Sequence, residues 1–351
     1  MRLTDESPKA VVPEAAEQSL SERWRERLGG GWILLLLVVL LAVFTILRPA
    51  QFATPFNLST LATDAAILLV VAIGQAFVIM TAGIDLSVGS VLVFSSVTSA
   101  LTMLALSGES TATYGQTDAS WGVIAIGLVV AVVSGLAWGL INGLLVSRTR
   151  IPALIVTLGT MGMALGAAQV ITNGQDVRGI PALLVTWVGS GQLAGIPVLI
   201  LVAVVVAVVA AVALNKTRFG TWTLATGSNE EAARRSGVKV RAQLLKVYAL
   251  SGALAGLAGM MAIARFSTTT IGGHTQDNLA TISAVVLGGT SLFGGVGTIL
   301  GTVIGVFIPV ILLNGFIILG IPPFWQTIAM GAVLVVAVYI DQMKRKKKTL
   351  S

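Results

Sequence analysis

The sequence predicts an all-α, polytopic membrane protein with about ten transmembrane helices. Hydrophobic residues make up 55% of the 351 residues and charged residues 11%, whereas a soluble globular domain has roughly 45–50% apolar and about 25% charged residues. The mean hydropathy is +0.92. Ten spans of about 20 residues need about 200 positions, which agrees with the apolar share. We therefore expect one integral membrane unit.

The chain begins with a polar segment, residues 1–30, which contains many Ser, Glu and Arg residues. We interpret it as a cytoplasmic tail. The apolar run Trp32–Leu47 that follows comes too late for a secretory signal and lacks a convincing cleavage site before the next polar stretch. It therefore predicts an uncleaved first transmembrane helix.

Further apolar segments of spanning length follow along the chain. Glycines break the sequence near 82–90 and near 288–297, where a re-entrant loop is an alternative to a simple turn. With the first helix, the predicted crossings are even in number, so both termini lie on one side. The further segments cover residues 61–81, 88–106, 121–145, 153–172, 197–214, 246–264, 279–293, 296–313 and 323–340.

The positions of the basic residues support this topology. Of the 22 Lys and Arg residues, only Arg48, Arg178 and Arg265 lie outside the segments that an even number of crossings places in the cytoplasm. Those segments are the two termini and the loops at 146–152 and 215–246. The bias predicts a multi-pass membrane protein with both termini cytoplasmic. It argues against a basic groove for nucleic acid.

The same pattern divides the chain into a cytoplasmic tail of residues 1–30, a transmembrane domain of residues 31–340 and a basic cytoplasmic tail of residues 341–351. The Lys344–Lys348 cluster is expected to lie near anionic lipid, since each charge at that surface gains about 1 kcal/mol. We expect it to anchor the topology.

Several kinds of chemistry have no residues to support them. The chain has no cysteine and a single histidine, His274, which we interpret as a solvated residue of an external loop. No stretch matches the phosphate-binding G-x-x-x-x-G-K-[ST], the nucleophile elbow G-x-S-x-G or the zinc motif H-E-x-x-H. The sequence therefore predicts neither an enzyme nor a metal site, and no ATP site or other cofactor of its own.

Ionisable residues are scarce in the predicted spans. Among the acidic residues, only Asp64 and Asp85 lie at or near a span. A proton- or sodium-coupled carrier usually needs buried carboxylates, histidines or broken-helix ion sites. The scarcity favours a pathway for a neutral polar solute, with energy supplied from elsewhere. A self-sufficient secondary carrier or channel for such a solute is the alternative.

The segment Gly83-Ile84-Asp85-Leu86-Ser87-Val88-Gly89-Ser90 interrupts two apolar helices. Gly83 and Gly89 permit backbone conformations that other residues avoid, and Asp85 and Ser87 can accept hydrogen bonds from amides freed at a helix break. A plain capping turn explains this pattern. So does a break that forms part of a translocation gate, and the two interpretations are compatible.

Glycines recur at helical spacing in two spans, at Gly252, Gly256 and Gly259 and again at Gly297, Gly301 and Gly305. Small residues at this spacing let helix backbones approach closely inside a membrane. We interpret both sets as packing surfaces.

The long loop contains the stretch Gly227-Ser228-Asn229-Glu230-Glu231-Ala232-Ala233-Arg234-Arg235-Ser236-Gly237-Val238. Ser228 or Asn229 can cap a short helix, acidic residues favour its first turn, basic residues favour its end, and Gly237 stops it. A short helix with an alanine face between two spans suits a groove on a partner. A solvated surface helix is the alternative.

With these motifs the chain resembles the membrane permease subunits of bacterial ATP-binding-cassette (ABC) importers for monosaccharides, such as the ribose, xylose and galactose permeases of the branched-chain amino acid and sugar permease superfamily. The resemblance runs from about Leu61 to Tyr339. Relatives that move branched amino acids or nucleosides usually lack GIDLSVG, so its presence favours a sugar. Three stretches of this chain carry the resemblance: GIDLSVGS at 83–90, TGSNEEAARRSGVKV at 226–240 and ISAVVLGGTSLFGGVGTILGT at 282–302.

The resemblance implies a homodimer of permeases in the inner (plasma) membrane. Its partners would be cytoplasmic ABC ATPase subunits, which bind the ATP, and a periplasmic or lipid-anchored sugar-binding protein. An importer of a nucleoside or a furanose-like signal is the alternative cargo. The 226–240 stretch matches the coupling element of the family, and the residues expected to contact the ATPase are Asn229, Glu230, Ala232, Arg235 and Gly237.

One position departs from the family pattern. The family commonly has a glutamate before the leucine that precedes the third stretch, where this chain has Asn278 before Leu279. A charge-dependent role at this position is therefore not expected to carry over.

A weak repeat links the two halves of the chain. Asn142-Gly143, Ile151-Pro152 and Met161-Gly162 recur in order as Asn314-Gly315, Ile321-Pro322 and Met330-Gly331. Chance explains such a match as well as an inverted repeat does. If the repeat is real, it places the pathway between the halves, with Asn142 and Asn314 as candidate sugar contacts, since amides exchange hydrogen bonds with hydroxyls without carrying charge.

Overall fold

The computed structural model describes residues 31–107, 116–149, 151–274 and 276–349. The predicted tail of residues 1–30 lies outside them. Within the described residues the chain forms thirteen α-helices. They are α1 (Gly31–Leu47), α2 (Pro49–Phe52), α3 (Pro55–Met80), α4 (Val88–Ser107), α5 (Trp121–Arg148), α6 (Ala153–Thr172), α7 (Val198–Lys216), α8 (Arg218–Ser228), α9 (Glu230–Arg235), α10 (Val240–Phe266), α11 (Asp277–Leu287), α12 (Ile299–Ile318) and α13 (Pro323–Thr349).

Little regular structure other than α-helix occurs in the described part of the chain. A π-helix covers Leu184–Gly189. The strands have two residues each: β1 (Gln116–Thr117) pairs in parallel with β2 (Ile180–Pro181), and β3 (Gln192–Leu193) pairs antiparallel with β4 (Ile196–Pro197). The predicted all-α class is confirmed.

Eight helices of the described chain are long and apolar enough to cross a membrane: α3, α4, α5, α6, α7, α10, α12 and most of α13. Two shorter apolar helices, α1 and α11, have 17 and 11 residues. Every predicted span thus has a helix in the structure. The chain is a multi-pass membrane protein.

The predicted span 279–293 is wrong in its extent. Helix α11 ends at Leu287, and Gly289 takes a positive φ of 89° directly after it. At 1.5 Å per residue, α11 extends roughly 16 Å, about half of the hydrocarbon core. The apolar residues that continue beyond it belong to a turn, so hydropathy alone overestimated the helix.

Helices α3 and α10 form the centre of the fold and run antiparallel. In its most apolar 18 residues α3 is 94% buried, and α10 is 78% buried, against 28% for α5, α6 and α7. The Cα of Ser251 lies 2.9 Å from the position of a Cβ on Gly74. At one end of this pair, Asp64 of α3 and Arg265 of α10 form an ion pair of 3.4 Å.

The predicted glycine surface of α10 packs against glycines of α5. A Cβ on Gly135 of α5 would collide with the carbonyl oxygen of Gly252, and a Cβ on Gly256 with that of Ala131. Gly139 extends the contact along α5. The two backbones are therefore in direct contact, as small-residue faces allow in membranes.

The second glycine surface packs α12 against α11. A Cβ on Gly301 would collide with the carbonyl oxygen of Gly288, and one on Gly305 with that of Ala284. Gly297, in the turn before α12, lies against the Met80 side chain, whose Cε would be 2.6 Å from a Cβ there. Both predicted packing surfaces are confirmed.

Two opposite ends of the helix bundle are defined by contacts between α3 and α12. At one end the backbone amide of Gly295, before α12, donates to the carbonyl of Met80 at 2.9 Å. We call this end the α9 face, because α8 ends beside Met80 and α9 follows it. At the other end Asn57 pairs with Asn314. We call that end the α2 face.

Two crossings are broken between the faces. Residues 81–87 lead from α3 into α4, and residues 267–276 lead from α10 into α11. The N-termini of α4 and α11 meet, since a Cβ on Gly89 would collide with the His274 carbonyl oxygen. From this meeting point α4 runs toward the α2 face and α11 toward the α9 face. An inverted repeat produces such a pair of broken crossings.

Candidate gate and coupling element

The segment 81–87 begins with a turn that folds back on the end of α3. The amides of Ala82 and Gly83 donate to the carbonyls of Ile79 and Val78 at 2.9 and 3.1 Å. Ala82 has a positive φ of 62°, so it occupies the left-handed position of a Schellman motif that glycine usually fills.

The reason predicted for the two glycines of this segment is wrong. Neither Gly83 nor Gly89 has a positive φ. At both positions the neighbouring atoms instead leave no space for a side chain. A Cβ on Gly83 would lie 2.6 Å from the Tyr248 hydroxyl, and one on Gly89 would collide with the carbonyl of His274. The glycines allow α10 and the start of α11 to approach the break.

Asp85 is the buried centre of the break, with 2% of its surface exposed. Its Oδ1 accepts hydrogen bonds from the Ser87 amide at 2.9 Å and from the Ser87 hydroxyl at 2.6 Å. Its Oδ2 accepts from the Ser251 hydroxyl of α10 at 3.3 Å. Asp85 therefore satisfies an amide freed at the break, as predicted, and the nearby N-terminus of α4 favours a negative charge there.

The side chain of Asn142 extends this network to α5. Its Nδ2 donates to the Ser87 hydroxyl at 2.8 Å, while its Oδ1 has no partner among the described residues. The Tyr248 hydroxyl is likewise buried without a partner there. Buried polar atoms of this kind cost free energy until they are hydrogen-bonded, so the break contains unused hydrogen-bonding capacity.

Two further helices hold the backbone of the break. The Thr157 hydroxyl of α6 donates to the Ile84 carbonyl at 3.1 Å, and Nδ2 of Asn278 in α11 donates to the Leu86 carbonyl at 3.4 Å. Sequence reasoning missed Ser251 and Thr157, because serine and threonine are common in spans and their partners are distant in sequence. Asn278 was noticed only as a departure from the family.

Asn142 and Asn314, predicted as two contacts for one pathway, are not brought together. Asn314 forms a reciprocal pair of hydrogen bonds with Asn57, of 3.0 and 2.9 Å, at the α2 face. Asn142 is fully buried beside Ser87. The two asparagines therefore lie in different parts of the bundle, Asn142 at the break and Asn314 at the α2 face.

The prediction of a solvated His274 is wrong. The residue is buried, and its Nδ1 lies 2.7 Å from Oδ2 of Asp277 in the first turn of α11. The ring of Phe266 lies beside it, with centroids 6.4 Å apart. The polar sequence around His274 suggested a surface loop, but this segment is folded between α10 and α11.

The predicted short helix of the long loop is present as α9. Oδ1 of Asn229 accepts from the amide of Ala232 at 2.9 Å and caps its start. Glu230 pairs with Arg234 at 2.5 Å. Gly237, with a positive φ of 85°, follows its end. The predicted capping and stop signals are confirmed.

One face of α9 is buried and the other is free. Ala233 and Val238 pack with the partly buried Trp222 of α8. Ala232 and Arg235 are exposed, and the ion pairs of α9 are also exposed, so they contribute little to stability. Helix α9 is therefore a short charged helix that packs on α8 through Ala233 and exposes its other residues at the α9 face.

Helix α8 fixes this element to the core. Nε2 of Gln243 in α10 donates to the Phe219 carbonyl at 3.0 Å and to the Thr223 hydroxyl at 2.8 Å. The Phe219 ring packs on Phe77 of α3, with centroids 5.4 Å apart. The exposed helix, α8 and the broken crossing thus form one connected structure. Within the described residues no cluster of acidic or histidine side chains could hold a metal ion.

These features define a helical membrane protein in which the N-termini of two helices meet between the two faces and a short exposed helix lies between two spans. A family model described as the permease component of the branched-chain amino acid transport system matches residues 57–338. The chain therefore belongs to this family of permease components. The match agrees closely with the range over which the motifs indicated a resemblance.

Named relatives cover most of the chain. It is 37% identical over 315 residues to the ribose import permease protein RbsC of Escherichia coli strain K12, which covers 89% of this chain and 93% of the relative. It is 33% identical to the fructose import permease protein FrcC of Rhizobium meliloti, over 89% of this chain and 85% of the relative.

A third relative is the galactose/methyl galactoside import permease protein MglC of Escherichia coli strain K12. The identity is 34% over 329 residues, which are 91% of this chain and 95% of the relative. No solved structure gave a significant match.

Proposed function

We propose that this chain is the membrane permease subunit of an ABC importer that carries a monosaccharide across the bacterial inner membrane. The family match and the names of the ribose, fructose and galactose import permeases support this function. In this proposal a separate ATPase supplies the energy, and an external binding protein delivers the sugar. The chain itself has no catalytic role and no cofactor.

The observation that carries the proposal is the physical connection between α9 and the break at Asp85. A partner that docks on α9 contacts an element seated on α8 through Ala233 and Val238. Helix α8 packs on α3 through Phe219 and Phe77, and α3 leads directly into the break. A movement of α9 can therefore reach the broken crossing through the packed helices α8 and α3.

The ATPase is proposed to bind the exposed side of α9. The exposed residues Asn229, Glu230, Ala232 and Arg235 provide this surface, and Gly237 turns the chain away after it. The α9 face is then cytoplasmic. The basic residues between 216 and 246 support this orientation and two cytoplasmic termini.

The gate is proposed to be the meeting point of α4 and α11. Gly83 and Gly89 allow the close contacts of this point, and Asp85 and Ser87 tie it to α10 and Asn142. Movement of α3 would break or remake these bonds. Asn314, with its partner Asn57, is proposed to steady the external end of the pathway.

A neutral substrate suits this arrangement. Asp85 has its hydrogen bonds from Ser87 and Ser251, and the described chain contains few other charges between the faces. Hydroxyl and amide groups dominate the polar interior, and these groups suit a sugar. We propose a homodimer of permeases surrounded by lipid, with the choice of sugar made mainly by the external binding protein.

The test is purification of the tagged chain from its host membrane in mild detergent, with co-purifying proteins identified by mass spectrometry. We expect an ABC ATPase with the wild-type chain and with Ala50→Trp, which alters the exposed α2 on the other face. Ala232→Trp should lose the ATPase while reaching the membrane normally, because Ala232 is exposed.

Uptake completes the test. Proteoliposomes that contain the recovered complex and the external binding protein should accumulate radiolabelled ribose, galactose or fructose only with ATP inside the compartment that holds the ATPase. Accumulation by the purified chain alone, without ATP, would show a self-sufficient carrier and overturn the proposal.

A further inference from the structure

Three backbone segments meet at one point of the α9 face. They are the end of α3 at Met80, the end of α8 at Gly227 and the turn that holds Gly295. The Gly295 amide donates to the Met80 carbonyl at 2.9 Å. A Cβ on Gly227 would collide with that same carbonyl and lie 2.7 Å from the Gly295 amide nitrogen. We call this contact of Met80, Gly227 and Gly295 the Met80 junction.

The junction leaves no space between its parts. A Cβ on Gly294 would lie 2.7 Å from the Ala82 amide nitrogen and 2.8 Å from the Gly227 carbonyl oxygen. A Cβ on Gly295 would lie 2.8 Å from the Cα of Ser228. Backbone is thus packed directly on backbone. Such a contact transmits displacement, because no flexible side chain lies between the segments to absorb it.

The junction lies between the coupling element and the gate. Asn229, the cap of α9, is two residues beyond Gly227. On the other side, Ala82 and Gly83 are bonded back to the last turn of α3, and Asp85 follows two residues later. A shift of α9 that moves Gly227 must therefore move the Met80 carbonyl and the start of the break.

We propose that the Met80 junction transmits the movement of the ATPase to the gate, and that Gly227 is the positioning residue that keeps the two in register. Gly227 acts through Met80 and touches no substrate. This inference rests on the proposed function. It adds the route by which nucleotide-driven movement of α9 reaches Asp85.

The first test is Gly227→Ala in the complete transporter, reconstituted with its ATPase and binding protein. We expect the ATPase to co-purify as with the wild type, and sugar uptake per ATP hydrolysed to fall roughly tenfold, within the range of substitutions along a coupling route. Gly122→Ala is the matched control, because a Cβ there makes an ordinary contact of 3.5 Å with the Ser120 hydroxyl. It should leave this ratio unchanged.

Two results overturn the inference. One is wild-type uptake per ATP in Gly227→Ala. The other is loss of the ATPase from this variant, because Gly227 would then shape only the docking surface.

The second test does not require Gly227→Ala to fold. The chain has no cysteine, and Ala82 is exposed, so Ala82→Cys offers a single reactive thiol beside the junction. Its labelling rate with a membrane-impermeant maleimide, measured on the whole complex, should change when ATP replaces ADP. An equal rate with both nucleotides would show that the junction stays still, and it would overturn the inference.

These outcomes are distinct from failure of the proposed function. If no ATPase co-purifies with the wild-type chain, the proposed function fails first. If the ATPase co-purifies and drives uptake, but the junction neither moves nor affects uptake per ATP, only the transmission route fails.

Discussion

Nδ2 of Asn142 in α5 donates a 2.8 Å hydrogen bond to the hydroxyl of Ser87, which itself donates to Asp85 at 2.6 Å. Asp85 then accepts from Ser251 of α10. This chain of side chains joins the start of α4 to α5 and α10. Because these side chains are fully buried, each hydrogen bond of the chain strengthens the next one.

Asn142→Ala should destabilise the fold. It removes a buried donor from Ser87 and leaves space in a packed interface, and the loss of one hydrogen bond costs about 0.5–1.5 kcal/mol. We expect a lower midpoint of thermal unfolding in detergent, followed by tryptophan fluorescence. Asn215→Ala is the control, because Asn215 is exposed and bonds only within α7. An equal midpoint in the two variants would contradict the network.

Asp85→Asn and Ser251→Ala should be coupled. Each substitution alone weakens the 3.3 Å bond between the two residues, so the double variant should be more stable than the sum of the single effects predicts. The coupling free energy should be about 1 kcal/mol. Asp85→Asn combined with Ser190→Ala is the control pair, and its effects should add, because Ser190 bonds within its own segment. If the effects of Asp85→Asn and Ser251→Ala also add, the bond between Asp85 and Ser251 does not contribute to stability.

Local signals in the sequence predicted much of the fold. Helix α6 has the predicted bounds, 153–172, and the caps of α9 are where Asn229 and Gly237 indicated. These features depend on residues close together in the chain. Hydropathy and capping are local properties, so sequence patterns report them well.

The missed features depend on residues far apart in the chain. The bonds of Thr157 to Ile84 and of Ser251 to Asp85 join positions 73 and 166 residues apart. Helix α11 ends early because Gly289 takes a positive φ of 89° and Gly288 packs against the backbone of Gly301. Hydropathy does not mark such a turn. His274 was mistaken for a surface residue because its neighbour Gln276 is polar and exposed, whereas His274 itself is buried beside Phe266.

The Asn57–Asn314 pair should stabilise the α2 face as a unit. Each amide donates to the other, at 3.0 and 2.9 Å, so Asn57→Ala leaves Asn314 without its partner, and the reverse also holds. We expect each single variant to lower the unfolding midpoint and the double variant to lower it little further, with a coupling free energy of about 0.5–3 kcal/mol. Independent effects that add in the double variant would contradict the reciprocal pair.

Gly135→Ala should lower stability although alanine favours a helix. Within an exposed helix this change stabilises by up to about 1 kcal/mol. At Gly135 the new methyl collides with the Gly252 carbonyl, and overpacking costs about 1–3 kcal/mol, so the net effect should be destabilising.

Gly122→Ala in the same helix separates the gain in helix propensity from the cost of the collision. Its methyl meets only the Ser120 hydroxyl, at 3.5 Å, so helix propensity should dominate and the unfolding midpoint should stay equal or rise. Because α5 also carries Asn142, the shift forced by Gly135→Ala should disturb the bond to Ser87 and lower sugar uptake in the reconstituted complex. A midpoint that rises equally in both variants would show that α5 and α10 are not in backbone contact.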